Sequence, residues 1–133
     1  MIAAIHAGWK GAFKGIINRT LNFMIKKGCT PKNITAVIGP CISVKSYEVK
    51  KDFIKKLIKK DGKNKKFFKK IQNKDFFNLK KYIYSQLKTL NIKKIDIINK
   101  NTFNPKNSFF SARRSISRNE NDYGRNISVI MIN

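Results

Sequence analysis

The hydrophobic pattern changes its period near the start of the chain, and this change constrains the fold more than any other feature. Residues Ile2 to His6 form a short apolar run that predicts a buried strand. From Lys10 to Lys27 the apolar residues recur every three or four positions, which predicts an amphipathic helix that ends at Gly28. A second apolar strand is expected from Ile34 to Ile38. If the two strands are neighbours, this unit predicts a parallel pair with a right-handed crossover.

The rest of the chain continues with the same two periods. The predicted helices lie at Phe53–Ile58, Phe67–Ile71 and Leu79–Leu90, and the predicted strands lie at Ile95–Ile98 and Ile127–Ile132. Asn78 stands where it would cap the start of the Leu79–Leu90 helix. Together these elements predict an α/β (α+β) fold, with a mixed β-sheet and flanking helices, in a single domain over residues 1–133.

The chain carries a formal charge of +23, from 30 lysines and arginines against 7 acidic residues. Such a charge favours nucleic acid or a membrane surface as a partner. Only five of the basic residues are arginines, although arginine is the side chain suited to bidentate contacts with phosphates and bases. We therefore assign most of the charge to solvated positions, and we expect only nonspecific, salt-sensitive attraction to polyanions such as RNA.

Other sequence features indicate the cellular compartment in which the protein works. No apolar stretch approaches the roughly 20 residues of a membrane-spanning helix, and the start lacks the pattern of a signal peptide. The two cysteines, Cys29 and Cys41, are too few for a disulfide framework and form no C-x-x-C pair. We expect a cytoplasmic protein with reduced thiols and no membrane partner.

One histidine is present in the sequence, His6, at the end of the first predicted strand and before a glycine-flanked turn. In such a position an enzyme would present a metal ligand or a general base. On residue pattern alone, the more frequent alternative is a hydrogen-bonded histidine near a strand end. The pattern around His6 therefore leaves both interpretations open.

Three segments carry residue combinations that secondary-structure propensity alone does not explain. They are His6-Ala7-Gly8-Trp9-Lys10-Gly11, then Ile38-Gly39-Pro40-Cys41-Ile42-Ser43 with Ser46-Tyr47-Glu48-Val49, and finally Phe109-Phe110-Ser111-Ala112-Arg113-Arg114 with Gly124-Arg125. In this order and at these separations they resemble the multicopper polyphenol oxidase, or laccase-domain, family, whose bacterial members are similar to purine nucleoside phosphorylases and adenosine deaminases. The resemblance covers nearly the whole chain, and it implies purine nucleoside and phosphate as substrates.

The resemblance also implies a zinc site, with copper as the alternative metal, in which His6 is one ligand. The family's other two ligands are a histidine in a Q-x-H segment and a cysteine in an A-D-C segment, and both would lie upstream of Met1. The chain is therefore expected to be a laccase-domain-like fold lacking its N-terminal half, whether as a short gene, a mis-called start or a pseudogene. Because a catalytic zinc normally has three protein ligands, impaired activity is expected.

Candidate substrate-binding residues follow from the same resemblance. Lys10 stands where the family usually has arginine, Cys41 ends the second predicted strand, and Arg114 lies in the third segment. For Cys41 the alternative is a packing role, and for Arg114 it is the ordering of a loop. Asn101 stands where the family commonly has cysteine. The competing class of function is a basic protein that binds RNA or another polyanion without catalysis.

Overall fold

Residues 1–132 are described by a computed structural model, in which helices pack around two small sheets. The helices are α1 (Trp9–Phe13), α2 (Ile16–Lys26), α3 (Lys51–Lys60), α4 (Leu79–Thr89) and α5 (Ala112–Ser117). The strands are β1 (Thr35–Ile38), β2 (Glu48–Val49), β3 (Phe68–Ile71), β4 (Lys74–Phe77) and β5 (Lys94–Ile97). Short 3-10 turns at Pro31–Asn33, Val44–Ser46, Gly62–Phe67 and Pro105–Asn107 connect them. The predicted mixed α/β class is confirmed.

The two sheets differ in the relative direction of their strands. In the first sheet β1 and β5 pair in parallel, with Ala36 opposite Ile95 and Ile38 opposite Ile97. In the second sheet β4 lies between β2 and β3, and both pairings are antiparallel. The parallel pair brings the carboxyl ends of β1 and β5 to one edge, which is where open α/β sheets position their ligands.

Three strand and helix predictions were wrong. Ile2–His6 and Ile127–Ile132 form no strand, because neither run has a neighbouring backbone in residues 1–132 to complete a ladder. Phe67–Ile71 was predicted as helix, but Phe68–Ile71 is strand β3 of a hairpin. The turn of this hairpin is formed by Gln72 and Asn73, which both have positive φ. The tight turn matches the strand twist and favours the hairpin over a helix.

The helix predicted between Lys10 and Lys27 is divided in two. Gly15 adopts a φ of +84°, which interrupts the helical backbone between α1 and α2. At the far end Gly28 has a φ of +93°, and its amide donates to the Ile25 carbonyl. The predicted left-handed glycine cap is confirmed at Gly28.

The core lies where α2, α3 and α4 meet the hairpin. Phe77 and Leu57 are fully buried, and the Phe77 ring contacts those of Tyr47, Phe53 and Tyr82 at centroid separations of 5.1–5.8 Å. Tilted and edge-on arrangements of this kind are the favoured geometry for aromatic pairs. This aromatic core fixes α3, which in turn supports the segment around His6.

Helix α4 begins with the cap that the sequence predicts. The side-chain oxygen of Asn78 accepts a hydrogen bond from the Lys81 amide at 2.9 Å. Of the helices in the part of the chain that the structure describes, none is long and apolar enough to cross a membrane.

Candidate functional site

His6 lies in an irregular segment immediately before α1. Trp9 anchors this segment, because its indole packs edge-on against Phe53 of α3 at a centroid distance of 4.8 Å. The His6 ring folds back over Gly8, where an added Cβ would lie 2.8 Å from Nε2. The side chain of His6 is nevertheless exposed. Trp9 thus fixes the backbone that follows His6, while the His6 imidazole faces solvent.

The metal expected at His6 can be tested against its surroundings. Within residues 1–132, no group of three or more histidine, cysteine, aspartate or glutamate side chains is placed to hold an ion. A structural or catalytic zinc takes three or four such protein ligands. The described residues therefore do not fit a complete zinc or copper site.

Lys10 lies beside a shallow cleft of about 230 Å³ between α1 and α3. The cleft is lined by Trp9, Lys10, Phe13, Lys14 and Lys56. The Lys10 ammonium lies 5.9 Å from the Trp9 ring centroid, and the Lys56 ammonium lies 5.4 Å from that of Phe13. None of these lysines forms an ion pair with an acidic side chain of residues 1–132. Their uncompensated charges make the cleft attractive to anions.

Cys41 lies at the carboxyl end of the parallel sheet. It forms an isolated parallel bridge with Asn101 in the segment that follows β5, and its carbonyl accepts from the Thr102 amide at 3.2 Å. Burial raises the pKa of the Cys41 thiol, and the nearby charge of Lys80 lowers it by less. A partly buried thiol with a raised pKa stays protonated near neutral pH and is a poor nucleophile.

Asn101 organises the loops at this edge of the sheet. Its side-chain oxygen accepts from the amides of Ser43 and Phe103 at 3.0 and 3.1 Å, and its amide nitrogen donates to Ser46 Oγ at 3.1 Å. The sequence prediction named this position only as a departure from the family pattern. The missed signal was an asparagine beside a strand end, where its amide can satisfy loop backbone.

Arg114 projects from α5 into the loop that follows β5. One terminal nitrogen donates to the carbonyls of Thr102 and Phe103 at 2.9 and 3.0 Å, and the other donates to that of Phe109 at 2.6 Å. The planar guanidinium suits this simultaneous contact with several acceptors. Arg114 therefore holds the two ends of the 102–109 segment together.

Arg113 makes a second contact between α5 and the body of the fold. Its guanidinium carbon lies 5.0 Å from the Tyr47 ring centroid, and a terminal nitrogen donates to the Glu48 carbonyl at 2.8 Å. Burial raises the pKa of Tyr47, and the charge of Arg113 opposes this effect. The third sequence segment is thus joined to the second through Arg113.

The candidate residues fall into two groups. Cys41 and Arg114 are linked through Thr102, whose amide donates to the Cys41 carbonyl and whose own carbonyl accepts from Arg114. His6 and Lys10 form the other group, which lies at the start of α1. Over residues 1–132, no hydrogen bond or ion pair joins the side chains of the two groups. Whether these four residues bind metal or substrate stays a prediction.

Comparison with known proteins provides an independent line of information. A family described as multi-copper polyphenol oxidoreductase laccase matches residues 1–133. A protein named purine nucleoside phosphorylase from Rickettsia conorii is 37% identical over 129 residues, covering 96% of this chain and 52% of that protein. Another of that name from Haemophilus influenzae is 36% identical over 132 residues, covering 97% and 51%. The chain thus spans about half the length of these curated relatives.

Proposed function

Because the chain belongs to the multi-copper polyphenol oxidoreductase laccase family, we propose that it carries part of a purine nucleoside phosphorylase active site. The observation behind this proposal is its match, over nearly all of its own length, to relatives that bear that name. Its substrates would be a purine nucleoside and phosphate, with the cytoplasm as its location. The two unpaired cysteines suit the reducing conditions of that compartment.

In phosphorolysis, a phosphate oxygen forms a bond to the anomeric carbon of ribose while the bond from that carbon to the purine nitrogen breaks. The bonding electrons leave with the purine, which takes up a proton, and ribose 1-phosphate is the other product. Because phosphate is an anion, catalysis depends on cations that orient it toward the sugar. We assign this role to Lys10, with Lys14 and Lys56 beside it in the same cleft.

The other candidate residues receive different roles. Arg114 donates to three carbonyls, so we assign it to the positioning of the 102–109 segment rather than to direct contact with substrate. We assign Cys41 to the wall of the site at the end of β1, since its thiol stays protonated. His6 would be the one metal ligand of this chain, and the remaining ligands would come from polypeptide outside it.

Metal-dependent deamination of adenosine is a second activity of the same proposal. A bound zinc or copper ion would supply an acidified water, but the described residues do not complete its ligand set. We therefore expect phosphorolysis to be slower than in the full-length relatives, and deamination to need the ligands from outside the chain.

The test is an assay of the purified chain with adenosine, in the presence and absence of phosphate. We expect adenine to form only with phosphate, at a lower rate than with the Rickettsia conorii relative assayed beside it. Inosine would instead report deamination. Replacing Lys10 by glutamine should raise the KM for phosphate more than it lowers kcat, because the charge acts on phosphate binding.

The matched control is Lys69→Gln, which removes an exposed lysine of β3 and should leave both constants unchanged. His6→Ala tests the metal role, and it should lower the zinc content of any preparation that retains zinc. A wild-type chain that is folded by circular dichroism yet makes neither adenine nor inosine would contradict the enzymatic proposal.

Polyanion binding without catalysis is the second candidate function. The observation that favours it is the group of lysines at the aromatic cleft, which lack acidic partners within the described residues. Aromatic rings combined with lysines are typical of surfaces that bind single-stranded nucleic acid. This candidate requires binding that weakens steeply with salt and is independent of adenosine.

A further inference from the structure

Helix α1 is too short to fix its own position. It spans only the five residues Trp9–Phe13, and Gly15, whose φ is +84°, separates it from α2. Isolated helices of fewer than about 12 residues are marginal in water, so α1 depends on its contacts with other elements. The helix carries Lys10, to which we assign the orientation of phosphate. The contacts that hold α1 in place therefore also determine where the Lys10 ammonium lies.

The backbone of His6 lies against the same helix. A Cβ added at Gly11 would lie 3.3 Å from the His6 carbonyl oxygen, a closer contact than Cβ atoms normally make. The segment before α1 thus folds back onto the helix at Gly11, where a side chain would leave too little room. A tilt of α1 would therefore move the His6 backbone together with Lys10.

Lys60 of α3 closes the carboxyl end of α1. Its ammonium donates to the carbonyl of Phe13, the last residue of the helix, and lies 4.3 Å from the centroid of the Phe13 ring. The last carbonyls of a helix lack partners within it, and a cation at this end also complements the helix dipole. Lys60 thus holds the end of α1 against α3, as the contact of Trp9 with Phe53 does at its start.

Gln86 of α4 holds α1 from a second side. Its side-chain nitrogen donates to the Ala12 carbonyl at 3.2 Å, although the two residues are 74 positions apart in the sequence. The same carbonyl accepts from the Gly15 amide at 3.1 Å, so both of its lone pairs are used. Gln86 is half-buried and Ala12 is only 1% exposed, so water competes little for this hydrogen bond. Two different helices therefore supply donors to the last carbonyls of α1.

These two side chains lie outside the aromatic cleft that the helix borders. The cleft is lined by Trp9, Lys10, Phe13, Lys14 and Lys56. The Lys60 ammonium faces the Phe13 carbonyl and ring, and the Gln86 amide faces the Ala12 carbonyl. Neither group is placed to contact an anion in the cleft, so its influence on such an anion must pass through α1.

We propose that Lys60 and Gln86 are positioning residues of the phosphate site. They hold the carboxyl end of α1 against α3 and α4, and so fix the Lys10 ammonium relative to that of Lys56. This assignment rests on the proposed function, because it takes Lys10 as a residue that binds phosphate. Binding groups need to be held within about 0.5 Å of their productive positions. A loosened α1 should therefore weaken phosphate binding even though no phosphate contact has been removed.

The readout is the fluorescence of Trp9, which lines the cleft and is the single tryptophan of the sequence. Its emission is followed while inorganic phosphate is added to the full chain at constant ionic strength, and titration calorimetry measures the same binding independently. We expect Lys60→Met and Gln86→Met each to weaken phosphate binding about fivefold, the equivalent of one lost hydrogen bond. Lys60→Arg retains a donor and should restore most of the affinity.

Charge is controlled in two ways. Lys59→Met removes a neighbouring exposed lysine of α3, and so makes the same change of charge as Lys60→Met. It should leave the phosphate affinity within about twofold of the wild-type value, because no contact with α1 is lost. Gln86→Met changes no charge at all, so weaker binding in this variant cannot have an electrostatic origin.

Hydrogen exchange separates positioning from general stability. In both variants the amides of Ala12, Lys14 and Gly15, which donate to carbonyls within this turn of chain, should exchange at least about tenfold faster than in the wild type. The amides of α4 should keep their wild-type rates. Faster exchange throughout the chain with unchanged phosphate affinity would show a merely structural role and overturn the proposal.

The remaining outcomes distinguish this proposal from the proposed function. Wild-type phosphate affinity in both Lys60→Met and Gln86→Met would overturn the positioning role alone. A wild-type chain that binds no phosphate by either method would overturn the phosphate role of Lys10, and the positioning role with it. Neither method needs turnover, so weaker binding in the two variants would support the positioning role even in a chain that catalyses no phosphorolysis.

Discussion

At the scale of single residues, Arg114 has the largest set of contacts among the candidate site residues. Its guanidinium donates to the carbonyls of Thr102, Phe103 and Phe109. Lysine retains the charge but not the planar fork, so Arg114→Lys would leave at least one of these carbonyls without a donor. We expect it to lower the free energy of unfolding by about 1–2 kcal/mol, measured by urea denaturation.

The control for this prediction is Arg118→Lys, which alters an exposed arginine whose ion-pair partner in the described residues is Glu120, at 3.8 Å. Its free energy of unfolding should change by less than about 0.5 kcal/mol. If Arg114 instead served mainly to bind substrate, Arg114→Lys would leave the stability unchanged and alter only the kinetic constants.

Cys41 gives a prediction about pH. Burial raises the pKa of its thiol, so the folded chain keeps the proton at pH values where the unfolded chain has begun to lose it. This contribution to stability is fully present below the ordinary thiol pKa. It is lost as the pH rises from that value through the higher pKa of the folded state. Alkylation of Cys41 should therefore reach its half-maximal rate at a higher pH in the folded chain than in the urea-unfolded chain.

The measurement is iodoacetamide labelling followed by peptide mass mapping at a series of pH values. Lys80→Met should move the Cys41 profile to still higher pH, because the Lys80 charge stabilises the thiolate. Lys81→Met, one residue along α4, provides the matched control and should not move it. A Cys41 profile that is the same in the folded and the urea-unfolded chain would contradict the assignment of a protonated thiol to the site.

At the scale of elements, the start of α4 depends on one side chain. Asn78 accepts from the Lys81 amide and so satisfies a donor that the helix leaves without a partner. Asn78→Ala should lower the free energy of unfolding by about 1 kcal/mol. Asn78→Asp retains the acceptor, so it should lower the free energy of unfolding by only about a few tenths of a kcal/mol. Urea midpoints of the three proteins provide the measurement, and equal losses in both variants would exclude capping as the cause.

The elements also show which parts of the fold were predictable. The α4 cap and the Gly28 cap follow from neighbouring residues, so the sequence was sufficient for both. The strand at Phe68–Ile71 was missed because a short apolar run with two lysines fits a helix turn or a strand, and only pairing with β4 decides. Segments 2–6 and 127–132 have strand composition, but strand formation needs a neighbour that residues 1–132 do not provide.

At the scale of the whole molecule, the candidate site was predictable only in part. The family resemblance that the three sequence segments carry predicts His6, Lys10, Cys41 and Arg114 as site residues. Their arrangement depends on contacts far apart in sequence, such as the bridge between Cys41 and Asn101 and the packing of Trp9 on Phe53. Local patterns do not determine such contacts, so the central position of Asn101 emerged only from the fold.

The net charge of the whole molecule predicts weak polyanion binding. The lysines of the aromatic cleft make this cleft the preferred binding position to test. We expect the chain to bind single-stranded RNA with an affinity that falls steeply and linearly on a plot of log affinity against log salt concentration. Fluorescence anisotropy with a labelled oligonucleotide measures both the affinity and the slope. An affinity that does not change with salt would exclude an electrostatic origin.

Two quadruple variants separate the cleft from the general charge. One replaces Lys10, Lys14, Lys56 and Lys60 by glutamine, and the other replaces the exposed lysines Lys26, Lys32, Lys69 and Lys70. Both lower the net charge by four, so binding governed by total charge would weaken equally in the two proteins. We expect the first variant to bind more weakly, because its lysines surround the rings of Trp9 and Phe13. Equal weakening would show that the lysines act only through the overall charge, and the cleft would then remain available for phosphate.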